Sequence, residues 1–225
     1  MPDIIISVHV PKCAGESFGE ALEDAFGPAD MYYDYDDSPF NPTKPVNTDP
    51  NYFQSFDKNS YGFLRGKRVV HGHFHPNKYK ALSPALRVTV LREPVERLIS
   101  HYFFWKHHPR HHHPLHDYML DHQLSLEAFA EIPSVKHFYS GVFFKDVDMN
   151  IFDAVGKFGD MEKFLSTFFQ RTQHHLVLPV TNANPQNNYS HLKNEILNDT
   201  KRIECLRALL SEDTAFYEHW AGKGC

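Results

Sequence analysis

The chain has 225 residues, is 41% hydrophobic and 23% charged, and carries a formal net charge of −5. That length suits one sizeable α/β domain with a real core. The acidic balance argues against a general nucleic-acid binder while leaving room for a local basic pocket. Cys13, Cys205 and Cys225 are odd in number and widely spaced, so no disulfide framework or zinc site is implied and reduced thiols are expected. No run approaches the ~18 apolar residues of a membrane span. Strand-like sequence begins at Ile4, so the expectation is a cytoplasmic protein with no leader and no membrane association.

Ile4-Ile5-Ile6-Ser7-Val8-His9-Val10 is a short β-branched run, as a strand buried on both faces reads. It ends at Pro11, and Lys12-Cys13-Ala14-Gly15-Glu16-Ser17 leads into a helix predicted over 17–26, stopped by Gly27-Pro28. Strand, small-residue loop and helix is the layout of a phosphate cradle, in which backbone N–H groups and the helix dipole face an anion and a lysine adds a full charge. The loop is not a Walker A, because the lysine precedes the glycine. On this stretch alone, a plain turn with a solvated lysine is an equally good reading.

Residues 28–62 are rich in Pro, Asp, Asn and Tyr and show no period, so they read as a long irregular excursion, a candidate substrate wall. Arg68-Val69-Val70-His71 reads as a second strand, running into Gly72-His73-Phe74-His75, and Arg87-Val88-Thr89-Val90-Leu91 as a third, ending at Arg92-Glu93-Pro94. A helix starts with Pro94 in its first turn, with Val95, Leu98, Ile99, Tyr102 and Phe103 on one face. The tract from His107 to His116 invites a metal, but Pro109 and Pro114 interrupt helical pairs and no carboxylate or cysteine sits at ligand spacing. A mobile His-rich loop at the mouth of the site, without metal, is the reading. Ser125 caps a short helix. A fourth strand is predicted over 151–156, a helix over 160–171, a last short strand over 176–180, a polar loop over 181–189 and helix from 191 to 221. Strands alternating with helices predict a mostly parallel central sheet flanked by helices, with 1–225 as a single domain.

In such sheets ligands sit beyond the carboxyl ends of the strands. The cradle, His71-Gly72-His73 and Arg92 all fall at such ends and would converge on one crevice.

His9-Val10-Pro11-Lys12-Cys13-Ala14-Gly15-Glu16-Ser17 resembles the 5′-phosphosulfate loop of carbohydrate sulfotransferases that use PAPS (3′-phosphoadenosine 5′-phosphosulfate). Leu91-Arg92-Glu93-Pro94-Val95-Glu96-Arg97-Leu98-Ile99-Ser100 is similar to their 3′-phosphate motif. Gly72-His73 sits where heparan sulfate 2-O-sulfotransferases place a base. The resemblance covers most of the chain, and implies the sulfotransferase version of the P-loop nucleoside triphosphate hydrolase-like fold. It implies sulfonate transfer to a hydroxyl of an acceptor, a carbohydrate or glycosylated small molecule, leaving 3′-phosphoadenosine 5′-phosphate. Lys12 would meet the charge growing on the leaving group. Cys13, Ala14, Gly15, Glu16 and Ser17 would hold the 5′-phosphate, with Gly15 allowing close approach. Arg92 and Ser100 would hold the 3′-phosphate, and His73 would be the general base, with His71 and His75 as neighbours able to replace or orient it. A surface ion pair with Glu96 is the bland alternative for Arg92. Glu16 and Cys13 depart from the threonines common in relatives; Glu16 either caps the helix or weakens cofactor binding. Asn182 or Asn184 is a further candidate lining residue. Two alternatives stay open: a P-loop small-molecule kinase, which needs a lysine after the glycine and an acidic magnesium ligand, and a non-catalytic nucleotide-binding module of the same fold.

Overall fold

The apolar β-branched runs become the middle of a parallel sheet. The structure is a computed structural model that describes residues 4–57, 59–179 and 188–225. Its strands are β1 (Ile5–Val8), β2 (Met31–Asp34), β3 (Val69–Gly72), β4 (Leu86–Leu91) and β5 (Ala154–Lys157), in the order β2-β3-β1-β4-β5. Every pairing is parallel, with Ile5 opposite Val69 on one side and Leu86 on the other. The helices are α1 (Gly15–Phe26), α2 (Pro45–Thr48), α3 (Pro94–His107), α4 (Pro114–Asp121), α5 (Leu126–Ala130), α6 (Pro133–Lys136), α7 (Met161–Thr172), α8 (Tyr189–Asn198), α9 (Thr200–Leu209) and α10 (Ser211–Trp220).

Alternation along the strands sends side chains to two separate cores. Ile5, Val69, Val88 and Val90 pack with Phe18 and Leu22 of α1 and Phe164 and Phe168 of α7. Ile6, Val8, Val70 and Leu91 pack on the other face with α3, α5, α9 and the single π-helical turn Phe138–Phe143. Local chemistry sets the helix starts: Pro94 occupies the first turn of α3, and the Glu93 carboxylate accepts the Glu96 N–H at 2.8 Å. Ser125 Oγ accepts the Ala128 N–H at 3.1 Å, so the predicted cap of α5 is present.

Three expectations are corrected. The segment 28–62 is not wholly irregular, because Met31–Asp34 forms β2 at the sheet edge. Its four residues alternate with no apolar run and pair on one side only, so neither a β-branched core signal nor a period marks them. The fourth strand starts later than predicted: Ile151 and Phe152 belong to a turn, and Asp153 accepts the Arg87 N–H at 2.8 Å. Residues 176–179 form no strand, although Leu176 and Leu178 pack against the α1–α7 layer. The free edge of β5 is already taken, because Val155 exchanges backbone hydrogen bonds with Gly222 and Lys223 at 2.7 and 2.9 Å. Pro179 would also remove a ladder donor. Val180 and residues 181–187, including Asn182 and Asn184, lie outside the described residues.

The His-rich tract folds back onto the protein. Pro114 starts α4, and buried His113 and His116 pack on Trp105 with ring centroids 4.9 and 5.0 Å away. Among the described residues no group of three or more His, Cys, Asp or Glu is placed to hold a metal ion. No helix among them is long and apolar enough to cross a membrane.

A buried ion cluster fixes the chain leaving β2. Lys78 Nζ lies 2.8 Å from Asp34 and 2.7 Å from Asp37, while Tyr79 and Tyr52 donate to the same two carboxylates. Burial pushes the Asp37 carboxyl up, but its bonds to Lys78 and Tyr52 more than offset this and hold it below the usual range. Replacing Lys78 by Met leaves two carboxylates facing each other, at an expected cost of about 3–5 kcal/mol in urea unfolding at pH 7. The deficit should shrink as pH falls toward 4, since the unpaired Asp37 would then take up a proton more readily folded than unfolded.

Candidate active site

The carboxyl end of every strand delivers a side chain to one cleft of about 910 Å³. His9 and the loop 11–17 follow β1, Tyr35 follows β2, His73 follows β3, Arg92 follows β4 and Phe158 follows β5. The crevice opens where β1 connects to β2 on one side while β4 and β5 lie on the other, the switch point at which open parallel sheets bind ligands.

The loop between β1 and α1 is bent by two left-handed residues, Lys12 (φ 66°) and Ala14 (φ 64°). Such conformations cost non-glycine residues energy and turn successive N–H groups toward a common point, the geometry of an anion-binding nest. The Cys13 N–H already donates to the Val10 carbonyl at 3.3 Å, and its buried thiol faces the Tyr139 hydroxyl at 3.5 Å. The Cys13 side chain thus packs inward, as a small buried thiol, while Lys12, Ala14, Gly15, Glu16 and Ser17 line the cleft. The need for Gly15 also differs from expectation. A Cβ there would sit 1.7 Å from Cδ2 of His9, so this glycine makes room for an imidazole behind the loop. Glu16 is exposed in the first turn of α1, where a carboxylate favours the helix dipole.

Lys12 forms no ion pair with a described residue, and its ammonium lies over the Phe104 ring at 3.9 Å. Burial lowers its pKa, the Glu16 carboxylate works against that shift, and the Arg92 charge adds to it. Arg92 is only 9% exposed yet opens on the cleft. Its Nη1 donates to the Lys12 carbonyl at 3.4 Å, its Nη2 to Glu96 at 3.2 Å, and its buried Nε has no protein partner. The ion pair with Glu96 thus forms, between a nearly buried guanidinium and a carboxylate whose side chain is 36% exposed. Phe158 lies under the guanidinium at 4.3 Å, and Ser100, buried on α3, faces the same space. Lys193 of α8 also holds Glu96, at 3.1 Å.

Of the three histidines around β3, His73 alone lines the cleft. His71 is buried beneath α1, bonded to Ser7 Oγ at 2.9 Å, with Gly19 against its ring. His75 is tied to the Lys145 carbonyl at 2.9 Å and accepts the Asn77 N–H at 3.3 Å. Burial and the neighbouring His71 push the His73 imidazole down to about 3, and burial does most to lower His9 as well. Both rings are neutral bases over the whole physiological range.

The profile of the Sulfotransferase family matches residues 2–192. The chain belongs to that family. Comparison with curated proteins finds no match. Among solved structures, it is similar to mouse sulfotransferase SULT7A1 complexed with PAP, at 15% identity and TM-score 0.44, covering 96% of this chain and 66% of that one. It is also similar to a sulfotransferase from Alicyclobacillus acidocaldarius, at 18% identity and TM-score 0.38, covering 97% of this chain and 99% of that one. The chain thus spans slightly under two thirds of the mouse protein.

Several cleft residues of this sulfotransferase-family chain carry no clear sequence signal. His9 could have been found from its place at the end of β1, and Phe158 from its place after β5. Phe104, Phe40 and Lys193 reach the site or its ion pairs only through tertiary packing. Asp153, an acidic residue beside a strand that a kinase reading could use for magnesium, sits at the amino end of β5, away from the cleft, and pairs with Arg171 at 3.6 Å. Substituting Gly15 by Ala should force His9 out of place and destabilise the fold by about 1–3 kcal/mol. In a thermal melt each kcal/mol should appear as a midpoint lowered by roughly 2–4 °C.

Proposed function

We propose that this chain is a PAPS-dependent sulfotransferase that moves a sulfonate to a hydroxyl of a ring-bearing acceptor, of the carbohydrate class. The observation that carries this reading is that Lys12, Arg92, Ser100 and His73 face a single cleft, with the Arg92 guanidinium bonded to the Lys12 carbonyl. Two anion pockets so joined suit the two ends of one doubly phosphorylated nucleoside. The residues also fit such a group: among the described residues no acceptor meets the buried Arg92 Nε–H, and the Lys12 ammonium lies at the cleft over the Phe104 ring.

In this reading the donor, when bound, supplies an activated sulfonate on a phosphate leaving group. Ala14, Gly15, Glu16 and Ser17 hold the 5′-phosphate through the first turn of α1, and Lys12 neutralises the charge that grows there. Arg92 and Ser100 grip the 3′-phosphate, with Glu96 fixing the guanidinium plane. His73, neutral and facing the cleft, takes the proton of the acceptor hydroxyl as its oxygen bonds to sulfur. Beyond His73 the cleft is walled by Tyr35, Phe40 and Trp105, with Ser38, Asn41 and Lys44 at its polar side. Flat apolar faces beside a few polar groups suit a polyhydroxylated ring.

Thermal shift with 3′-phosphoadenosine 5′-phosphate, a 5′-monophosphate and ATP–Mg²⁺ tests the donor, and labelled-PAPS transfer to a panel of glycans and alcohols tests the acceptor. Stabilisation by ATP–Mg²⁺ alone would support a kinase, and donor binding without transfer would support a non-catalytic module. Arg92→Ala should weaken bisphosphate binding roughly ten- to a hundredfold while sparing the 5′-monophosphate. Equal losses for both ligands would make Arg92 structural. His73→Ala should leave bisphosphate affinity intact and lower transfer by ~10²–10⁴; a variant that keeps its rate would remove His73 from the role.

A further inference from the structure

Among the described residues no carboxylate or carbonyl accepts a hydrogen bond from the imidazole of His73, the usual means of fixing a histidine base. Its Nε2 is buried without a protein partner. What surrounds it is a set of rings from neighbouring strands. The His9 ring from β1 lies 4.3 Å away at 59°, and the Tyr35 ring, just past β2, meets it edge-on at 4.8 Å and 78°. Phe143 of the π-helical turn closes a third side, at 6.4 Å and 88°. His9 and Tyr35 are themselves joined, Nδ1 to hydroxyl, at 3.1 Å. His9 has little freedom to move, because it stacks on buried His71 at 5.3 Å and fills the space left by Gly15.

We propose that the hydrogen-bonded pair His9–Tyr35 positions His73: it fixes the imidazole by ring contact and shields it from water, doing the work that an acidic partner does elsewhere. This rests on the reading of His73 as the base. Tyr35 is half out in solvent, so it is the removable part of the shield, and it begins the segment that carries Ser38, Phe40 and Lys44 to the cleft wall. Movement of that wall therefore acts on His73 directly through one side chain.

The electrostatic consequence has a definite sign. The titratable groups packed about His73 are His71 from β3, His9 from β1 and the Tyr35 phenol, with Lys12 acting on His9 and Glu16 on Tyr35. Burial is the leading cause of the low value of His73. Opening one side to water must therefore raise it toward the ordinary histidine value of about 6.5.

The test uses the full chain with ¹⁵N-labelled histidines, followed by two-bond proton–nitrogen spectra over a pH series, with His73→Gln and His9→Gln assigning the two rings. In the unsubstituted protein His73 should stay a single neutral tautomer down to about pH 4.5. Tyr35→Ala should bring its titration midpoint up by about one pH unit or more and mix its tautomers, while the buried His116 signals stay unchanged and report an intact fold. Tyr35→Phe should move the His9 Nδ1 signal and leave His73 in place. Should Tyr35→Ala fail to fold, Tyr35→Leu opens the same side with an apolar side chain. Unchanged His73 signals and midpoint in every folded variant would overturn the proposal. None of these readouts needs an acceptor, so their outcome is separate from that of the transfer and nucleotide-binding measurements.

Discussion

One phenol holds the two halves of the site together. Tyr139 donates its hydroxyl to the Arg92 carbonyl at 2.6 Å, accepts the Arg92 N–H at 3.2 Å, and meets the Cys13 thiol at 3.5 Å. The loops after β1 and β4 are thereby tied to the same atom, and the Arg92 guanidinium adds a second tie across the Lys12 carbonyl. Their separation is set by side-chain geometry rather than by loop flexibility. Tyr139 is fixed in turn, because Asp213 of α10 accepts its backbone N–H at 2.8 Å and two bonds from Ser140 at 2.9 and 2.8 Å. A π-helical turn places this tyrosine, consistent with the frequent use of such turns where a site demands an unusual side-chain position.

The cleft is cationic although the protein is not. Lys12 and Arg92 face it, and Arg97, 1% exposed, lies beneath it with its guanidinium 3.7 Å from the Phe138 centroid and no carboxylate in contact. Of these, only Arg92 has an ion-pair partner among the described residues, and Glu96 is shared with Lys193. Buried charges without matched counterions are costly and persist only where something else requires them. An anion carrying several charges is the simplest requirement that removes the cost, and it explains why a net charge of −5 is no obstacle to binding one.

Legibility followed from how locally each feature is specified. The strand runs at Ile5–Val8 and Leu86–Leu91 are β-branched and bounded by Pro11 and by Glu93-Pro94, so period and punctuation place them and put Lys12 and Arg92 at their ends. The same logic put His71-Gly72-His73 at a strand end, while the choice of His73 among them came from the family resemblance. It failed for β2, whose Tyr32 and Tyr33 lack any core signature, and hence for Tyr35, whose role depends on that strand existing. It did not reach the packing partners of Cys13 and Gly15, which are distant in sequence or hidden behind the loop: Tyr139 for the first, His9 for the second. Nothing near residues 176–179 could reveal that residues 222–223 already occupy the edge of β5.

The end of the cleft that holds Lys12 and Arg92 is built from strand ends and the first turns of α1 and α3, where backbone geometry leaves little choice. The opposite end is built from an edge strand, a 3₁₀-rich excursion and the His-rich return onto Trp105. Under the proposed function, rigid phosphate handling would suit the first kind of element, since its ligand would be the same in every turnover. Choice of acceptor suits the second, whose loops can change without disturbing the parallel core. Lys78, buried between Asp34 and Asp37, is the joint between the two: it anchors the irregular wall to the carboxyl end of β2, one residue from Tyr35. Under the proposed function, alterations in the excursion beyond that anchor would reshape the acceptor end alone, whereas alterations at the anchor would reach His73 as well.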